Sequence, residues 1–188
     1  MDKAKSPIGS YDDDLRIPNI RLNPISETEA EAAVAVILKP AMEDLEVLLV
    51  RRAFNPSDPW SGDIAFPGGR RKGKEALIET AVREAWEEIG VDLKLCEALG
   101  TLDISTSRRA PELRVLPFVY LCNRELEIRL NEELSSYFWI PLRRLRSSRG
   151  HAIIGGAENP VFILEEGIVW GLTYRMLEDL LSRVEESA

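Results

Sequence analysis

Cysteine and histidine are scarce in this sequence, which has two cysteines and one histidine in 188 residues. Cys96 and Cys122 are too few and too isolated to form a disulfide framework or a zinc site, and His151 alone cannot build a histidine-rich metal centre. So little cysteine is typical of proteins in a reducing compartment, and we expect a cytoplasmic location.

Long apolar runs are also missing. The longest run, residues 32–38, is far shorter than the roughly 20 residues that a membrane-spanning helix needs. The first ten residues, MDKAKSPIGS, lack the apolar core of a secretion signal. We therefore expect neither a membrane segment nor a processed leader.

Positive charge is in deficit, because 24 Lys and Arg stand against 32 Asp and Glu and give a net charge of −8. Duplex nucleic acids and anionic membranes attract basic proteins, so neither is an expected partner. A small anionic substrate is compatible with this charge where basic residues are concentrated locally. Arg143, Arg144, Arg146 and Arg149 have no interleaved aromatics, and we interpret them as a solvated helix edge and not as an RNA site.

The rest of the composition fits one globular domain, with 45% hydrophobic and 30% charged residues. Residues 1–30 are rich in Pro, Asp, Ser and Asn, and we expect them to form an extended arm that packs on the body or on a partner. The acidic run at residues 12–14 is interpreted as solvated. Residues 31–188 form the expected domain, and the two polar ends are compatible with a homodimer.

Short, β-branched apolar segments predict strands, and apolar spacing of three or four residues predicts helices. The predicted strands are 32–39, 45–53, 64–66, 95–102, 113–122 and 138–140, and the predicted helices are 75–90 and 172–184. Strands mixed with few helices, without strict alternation, indicate an α+β or α/β/α sandwich fold. Pro67 ends the third strand, and Gly68 and Gly69 permit backbone geometry that other residues avoid, which indicates a functional turn.

The helix that follows the double glycine concentrates acidic residues. At 100° per residue, Glu84, Glu87 and Glu88 fall within a wedge of about 100°. The apolar residues predicted to pack on the sheet lie opposite, and they are Ile78, Ala81, Val82, Ala85, Trp86 and Ile89. Carboxylates at this spacing repel one another unless a hard cation such as Mg²⁺ binds them. The wedge is therefore either a metal site or a solvated acidic face.

The spacing around the wedge decides between these alternatives. The pattern G-x5-E-x7-R-E-x2-E-E-x-G, which begins at Gly69 and ends at Gly90, resembles the signature of the Nudix hydrolases. Its one departure is Ala85, a packing position where the general pattern has a larger aliphatic residue. The resemblance implies a Nudix-type α/β/α sandwich with a mixed sheet, and an enzyme that cleaves diphosphate linkages to a nucleoside or related group.

The resemblance also implies roles for the residues of the signature. Glu84, Glu87, Glu88 and the carbonyl of Gly69 are the expected ligands of Mg²⁺, for which Mn²⁺ is a possible substitute. Arg83 and Glu75 are expected to support these carboxylates, and direct contact with the substrate is the alternative for Arg83. The backbone of Gly68 and Gly69 is expected to lie against the substrate.

Catalytic and phosphate-binding candidates also lie outside the signature. Glu87 or Glu88 is a candidate base, and Glu133 is the candidate outside the signature, with a plain acidic loop as its alternative. Arg51 and Arg52 end an apolar strand and are candidates for phosphate contact. Arg108, in a polar stretch, either contacts phosphate or lies in an exposed loop.

Two longer segments, LLVRRA…DPWSGDIAFPGG and VWGLTYRMLEDLL, resemble the coenzyme A pyrophosphatase branch of the family. The expected function is therefore Mg²⁺-dependent cleavage of the diphosphate of coenzyme A or a related nucleoside diphosphate derivative. ADP-ribose and other nucleotides remain alternative substrates. A module that binds such a ligand without cleaving it is the alternative from another class, and the retained glutamates favour the enzyme.

Overall fold

The computed structural model describes residues 18–26, 28–42 and 44–184, so the acidic run at 12–14 lies outside the described residues. The strands are β1 Ala32–Ala41, β2 Asp44–Arg52, β3 Ile64–Ala65, β4 Gly68–Arg70, β5 Glu97–Thr101, β6 Ser105–Thr106, β7 Arg114–Leu121, β8 Leu134–Pro141, β9 Arg149–Ile154, β10 Ala157–Leu164 and β11 Gly167–Trp170. The helices are α1 Leu77–Ile89, α2 Leu142–Ser147 and α3 Gly171–Arg183, with a short 3₁₀ helix at Leu93–Leu95. None of these helices is long and apolar enough to cross a membrane.

The larger sheet is mixed. Its main order is β3-β2-β1-β7-β5, with β4 paired to β1, β6 to β7 and β8 to β2. Strands β1 and β7 run parallel, whereas the other pairs are antiparallel. The α+β sandwich predicted from the sequence is confirmed.

Each face of this sheet carries its own core, because successive side chains of a strand point to opposite faces. Leu48 and Val50 of β2 pack with α1 on one face, and Val47 and Leu49 pack with α3 on the other. These alternating residues are buried almost completely. The sheet is therefore held between α1 and α3, and residues 51 and 52 at the end of β2 face opposite layers.

Helix α1 is rotated relative to the prediction. Trp86, expected on the packed face, is 61% exposed, whereas Glu88, expected on the acidic face opposite it, is 4% exposed. The buried stripe of α1 also includes Leu77, Ala81 and Ala85, at spacings of four residues. The two alanines let the backbone of the helix pack close to the sheet, and this leaves no room beneath it for an indole ring.

The two cysteines form a disulfide, so their treatment as isolated residues was wrong. Cys96 and Cys122 have Cα atoms 4.6 Å apart, although 26 positions separate them in the sequence. The pairing of Glu97 with Leu121 between β5 and β7 places the two cysteines side by side just beyond that pair. The two cysteines therefore do not indicate a reducing compartment.

A three-stranded antiparallel sheet, β11-β10-β9, occupies residues 149–170 and was not predicted. Strand β8 is also longer than the predicted 138–140, because it pairs with β2 from Glu46 to Arg52. The basic stretch around α2 is not a purely solvated edge. Arg146 bonds to the carbonyl oxygens of Leu181 and Val184, and thereby holds α2 against the end of α3.

The described part of the N-terminal segment lies along the domain. Ile20 forms an isolated bridge with Val184, and Asn23 forms one with Thr101. Gly100 makes the second contact possible, because a Cβ at that position would lie 2.6 Å from the Asn23 carbonyl oxygen. This segment therefore contacts both β5 and the end of α3.

Candidate functional site

Two glycines bring the backbone of β4 against its neighbours. Gly68 pairs with Val34 of β1, and a Cβ on Gly68 would lie 2.5 Å from the Ala33 carbonyl oxygen. A Cβ on Gly69 would lie 2.5 Å from Oε1 of Glu84. The backbone of β1 cannot yield to a side chain at position 68, so only glycine lets β4 lie this close to β1, and Gly69 lets the Glu84 carboxylate lie against the backbone of β4.

Glu88 is the buried carboxylate of the site. Its Oε2 accepts a hydrogen bond from the backbone N–H of Gly68 at 2.9 Å. Burial raises the pKa of Glu88 to about 7; the Gly68 N–H opposes this shift, and the charge of Glu84 adds to it. A buried carboxyl with a raised pKa is typical of functional sites, because burial of a charge is costly in a purely structural position.

Arg83 connects the other carboxylates. Its Nε and Nη2 donate to the two oxygens of Glu75 at 3.1 and 2.8 Å, and its Nη1 donates to Glu84 at 2.7 Å and to Glu87 at 3.0 Å. The hydrogen bonds from Arg83 lower the pKa of Glu75 to about 2, although partial burial opposes this shift. Thr80, which is fully buried, donates a further hydrogen bond to Glu75 at 3.0 Å. The guanidinium thus fixes the orientation of three carboxylates.

The donor set suits a hard divalent cation. The carboxylates of Glu84, Glu87 and Glu88 and the backbone of Gly69 supply only oxygen, which Mg²⁺ and Mn²⁺ prefer. Because Gly69 has no Cβ, the Glu84 carboxylate can lie directly against its backbone. Over residues 18–26, 28–42 and 44–184, no three acidic, histidine or cysteine groups already converge as a metal site. In the structure Glu84 and Glu87 both pair with Arg83, and Glu87 also pairs with Lys72.

Glu133 lies beside Glu88, although 45 positions separate them in the sequence. The Asn131 N–H donates to the Glu88 carbonyl oxygen at 2.9 Å, and the Asn131 side chain accepts from the Glu133 N–H at 3.0 Å. The carbonyl oxygen of Glu133 accepts from the Ala53 N–H at 2.7 Å. These bonds attach the loop to α1 and to the end of β2, and its exposed carboxylate is close enough to act electrostatically on Glu88.

Arg52 lies on the same face of the sheet as Glu88. Its Nε donates to Asp58 at 2.8 Å, and its Nη2 lies 4.0 Å from Glu133. Its charge favours the ionised form of Glu88. Arg52 is therefore next to the carboxylates, where a phosphate group would need a cation.

Arg51 is not brought to this site. Its guanidinium donates to the Glu166 carbonyl oxygen and lies over the Phe138 ring, with 5.5 Å between the guanidinium carbon and the ring centroid. Both contacts are on the α3 face, because the pleat of β2 alternates its side chains. In the structure Arg51 joins the two sheets and does not face the carboxylates of α1.

The loop between β6 and β7 contains Arg108 and Arg109, and the two side chains have different contacts. Arg109 donates to Asp63 at 2.9 Å and stacks on the Trp170 ring, 4.5 Å from its centroid. Arg108 is exposed and lies near Arg175 of α3.

Sequence reasoning missed three polar residues that organise the site. Asp58 holds Arg52, Asp63 holds both Arg109 and Trp170, and Asn131 attaches the Glu133 loop to α1. Asp58 and Asp63 belong to the segment DPWSGD, whose two carboxylates near a glycine turn were the available signal. Asn131 gave no such signal, because its role depends on a contact with the distant α1.

The comparison with family models matches residues 29–155 to the NUDIX domain. Among curated proteins, the chain is 32% identical over 158 residues to an uncharacterized Nudix hydrolase, NudL, of Yersinia enterocolitica, and the match covers 80% of each chain. It is 33% identical over 132 residues to Nudix hydrolase 3 of Caenorhabditis elegans, covering 67% of this chain and 54% of the relative. An uncharacterized protein of Schizosaccharomyces pombe is 40% identical over 107 residues, which are 53% of this chain and 32% of the relative. The chain thus spans about half or less of the last two relatives.

Solved structures give the same fold. A binary complex of a C. elegans Ap4A hydrolase aligns with a TM-score of 0.53 and 19% identity, covering 60% of this chain and 81% of that one. A MutT/nudix family protein from Enterococcus faecalis aligns with a TM-score of 0.52 and 21% identity, covering 87% of this chain and 63% of that one. At these identities the likeness concerns the fold alone.

Proposed function

The chain belongs to the Nudix family, and from this premise we propose that it is a divalent-metal-dependent pyrophosphohydrolase. Its substrate in this proposal is coenzyme A or a related nucleoside diphosphate derivative. Residues 31–188 are proposed to form the catalytic domain and residues 1–30 its arm. The proposed partner is this small molecule, and a homodimer stays a prediction.

One observation carries the proposal. The backbone of Gly68 and Gly69 lies directly against the carboxylates of Glu88 and Glu84, and Arg83 orients the remaining glutamates of the signature. A diphosphate is a poor electrophile because its oxygens are negatively charged, so its cleavage requires cations and a well-placed water. Oxygen donors for a cation and a basic side chain, Arg52, meet at this place.

The proposed roles follow from these contacts. Bound Mg²⁺ or Mn²⁺ would neutralise the diphosphate and promote deprotonation of water, and Glu84, Glu87, Glu88 and the Gly69 carbonyl would hold the ion. Arg83 holds Glu84 and Glu87 through the ion pairs it forms with them, and Glu84 lies against Gly69 of β4. The Gly68 N–H orients Glu88 through Oε2.

Proton transfer is proposed for Glu133. Its carboxylate is 64% exposed and is therefore open to water, and the loop that carries it is fixed next to Glu88 by backbone hydrogen bonds. A base must reach the proton it removes, and a fixed loop with an exposed carboxylate meets that requirement. Arg52 lies 4.0 Å from Glu133 and is placed to contact a phosphate.

The choice of coenzyme A as the substrate rests on the sequence resemblance to the coenzyme A pyrophosphatase branch. ADP-ribose and other nucleoside diphosphate derivatives are the alternatives. A module that binds the ligand without cleaving it is the second candidate function. The observation that favours it is the pairing of Glu84 and Glu87 with Arg83, which satisfies these carboxylates without a metal.

Mass spectrometry of reaction products tests the proposal. The full chain is incubated with Mg²⁺ and, separately, with coenzyme A, ADP-ribose, NADH, a dinucleoside polyphosphate or a nucleoside triphosphate, with a chelator as control. Release of 3′,5′-ADP and phosphopantetheine supports coenzyme A as the substrate, and release of AMP from ADP-ribose transfers the assignment to that alternative. Absence of turnover with both Mg²⁺ and Mn²⁺ overturns the enzyme and supports the binding module.

A further inference from the structure

Two arginines from distant parts of the chain meet at the edge of the fold next to β6. Arg108 lies in the loop after β6, and Arg175 lies in the second turn of α3. The Arg175 Nη2 donates to the carbonyl oxygen of Thr106, which fixes this guanidinium beside the loop. Arg108 follows Thr106 by two positions, and its charge acts on Arg175, which is half-buried.

Neither arginine has a carboxylate partner among the described residues. The two carboxylates that α3 contributes nearby are already used, because Glu178 bonds to Arg149 at 2.7 Å and Asp179 bonds to Arg183 at 2.6 Å. Asp63, on the other side of the loop, is paired with Arg109 at 2.9 Å. In an acidic protein with a net charge of −8, these two arginines thus have no counter-ion within the described part of the chain.

Burial makes this pair costly unless an anion joins it. Partial burial lowers the pKa of Arg175, and the charge of Arg108 adds to this shift. Both effects disfavour the charged form, and the attraction of a bound anion would oppose them. Guanidinium groups suit phosphate in particular, because their planar N–H groups match its oxygens.

The arginine pair lies at the same end of the sheet as the proposed catalytic site. Ser105 of β6 pairs with Val115, Val115 with Ala32, and Ala32 with Arg70 next to Gly69. Three strand spacings of about 4.8 Å separate β6 from β4, a distance of about 14 Å. This is the backbone separation of the two strands, and a nucleotide-sized molecule can span it.

Asp63 connects the two places directly. Its carboxylate holds Arg109, in the loop of Arg108, and its carbonyl oxygen accepts from the N–H of Arg52 at 3.0 Å. Arg52 in turn contacts the Glu133 carboxylate. The loop of Arg108 is therefore fixed to the strand end beside the proposed site.

We infer that Arg108 and Arg175 form a second anion site, which receives a phosphate monoester of the substrate, apart from the diphosphate that is cleaved. This inference rests on the proposed function and narrows it. The preferred substrate carries a terminal phosphate in addition to its diphosphate. The same site would accept free inorganic phosphate, which has the same chemistry.

Binding without turnover tests the site independently of the enzyme activity. Adenosine 3′,5′-bisphosphate, adenosine 5′-monophosphate and inorganic phosphate are titrated into the full chain by calorimetry in the presence of a chelator. We expect the bisphosphate to bind at least tenfold more tightly than the monophosphate. Arg108→Gln and Arg175→Gln should each abolish most of this margin, and Arg175→Lys, which keeps the charge, should retain part of it.

Arg143→Gln is the matched control, because it removes an exposed arginine of α2 and should keep the whole margin. If inorganic phosphate binds as tightly as the bisphosphate, but only to chains that keep both arginines, this result supports the site and identifies free phosphate as its ligand. The site is overturned if bisphosphate and monophosphate bind equally and inorganic phosphate does not bind. It is also overturned if the difference in affinity between bisphosphate and monophosphate survives Arg108→Gln and Arg175→Gln. Arg108→Gln changes an exposed side chain, so its result does not depend on folding.

Kinetics with matched substrates separate this inference from the proposed function. Coenzyme A and dephospho-coenzyme A differ by one phosphate monoester, as do NADPH and NADH. If the chain hydrolyses them, kcat/KM for the phosphorylated member of a pair should be at least tenfold higher, and Arg108→Gln should remove this preference without changing kcat/KM for the other member. Hydrolysis without such a preference overturns the inference and leaves the proposed function intact. If the chain binds phosphate at the two arginines but hydrolyses none of these substrates, the inference stands and the proposed function is overturned.

Discussion

The carboxylate of Glu88 and the backbone N–H of Gly68 meet at 2.9 Å although they lie 20 positions apart. This bond joins the only buried carboxylate of α1 to the short strand β4. It also lies on the sheet-facing side of the helix, where a carboxyl without a partner would destabilise the fold. The pair therefore links the stability of the fold to the proposed site.

Glu88→Gln should abolish metal-dependent turnover and leave the fold intact. The amide oxygen of Gln can still accept the Gly68 N–H, but the neutral side chain is a poor ligand for a hard cation. We expect kcat to fall by a factor on the order of 10³, typical of the loss of a catalytic group. Circular dichroism and product assays measure the two effects. Glu79→Gln on the same helix is the control, because Gln also completes the capping contact with Ala76. Undiminished activity of Glu88→Gln would refute the metal assignment.

Stability without metal should decrease as the pH rises through about 7. The raised pKa of Glu88 means that the folded chain binds a proton that the unfolded chain releases near pH 4.5. Protonation of Glu88 therefore contributes on the order of 3 kcal/mol to the free energy of unfolding. This contribution is fully present below pH 4.5 and is lost as the pH rises to about 7. Urea unfolding between pH 5 and 8.5 in a chelator measures it. The decrease should be absent in Glu88→Gln, and an equal decrease in both chains would contradict the prediction.

Metal affinity should show the opposite dependence on pH. A cation that binds Glu88 must displace its proton, so the affinity for Mg²⁺ or Mn²⁺ should rise as the pH increases through about 7. The dependence of activity on metal concentration, measured at several pH values, gives this affinity. An affinity that does not change between pH 6 and 8 would show that Glu88 is not a ligand.

The two glycines of β4 should respond differently to alanine. In Gly68→Ala the new Cβ would meet the backbone of Ala33 and Val34 at 2.5 and 2.6 Å, so we expect a loss of roughly 1–3 kcal/mol in the free energy of unfolding. In Gly69→Ala the atoms nearest to the Cβ would be those at the end of the Glu84 side chain, which can move. We expect near-normal stability and a decrease of kcat/KM of about tenfold or more, since Glu84 is displaced. Equal stability of the two variants would be the contrary result.

Arg83→Lys should weaken metal binding more than it weakens the fold. A single ammonium group cannot replace the hydrogen bonds of Arg83 to Glu75, Glu84 and Glu87. We expect the metal affinity to fall about 10- to 100-fold, as for other residues that orient metal ligands. Arg129→Lys is the control, because Arg129 forms an exposed pair with Glu127. The prediction fails if metal affinity is the same in Arg83→Lys and wild type.

Reduction of the disulfide should destabilise the chain. The bond between Cys96 and Cys122 spans 26 positions. Closing a loop of this length lowers the conformational entropy of the unfolded chain and so raises the free energy of unfolding by about 3 kcal/mol. Urea unfolding with and without a reductant measures the effect. The variant Cys96→Ala/Cys122→Ala should be less stable than the oxidised chain and insensitive to the reductant. A reductant that leaves the wild-type midpoint unchanged would contradict the prediction.

The sequence determined the elements that have a strong local pattern. Apolar periodicity located β1, β2, α1 and α3 to within a few residues, and the spacing from Gly69 to Gly90 identified the family before any contact was known. These features are local, because a helix face and a short signature depend on residues within a few turns. The candidate carboxylates of α1 were named on the same basis.

Only the tertiary structure decided which groups meet. Periodicity placed Trp86 inside and Glu88 outside, and the close approach of Ala81 and Ala85 to the sheet reversed both. The alternation of β2 directed Arg52 towards Glu133 and Arg51 towards Glu166, a choice that two adjacent arginines in a sequence cannot reveal. Strand pairing joined Cys96 to Cys122, and the packing of α3 brought Arg175 to the loop of Arg108. In each case the partners are far apart along the chain, so their contact depends on how the layers pack and not on local spacing.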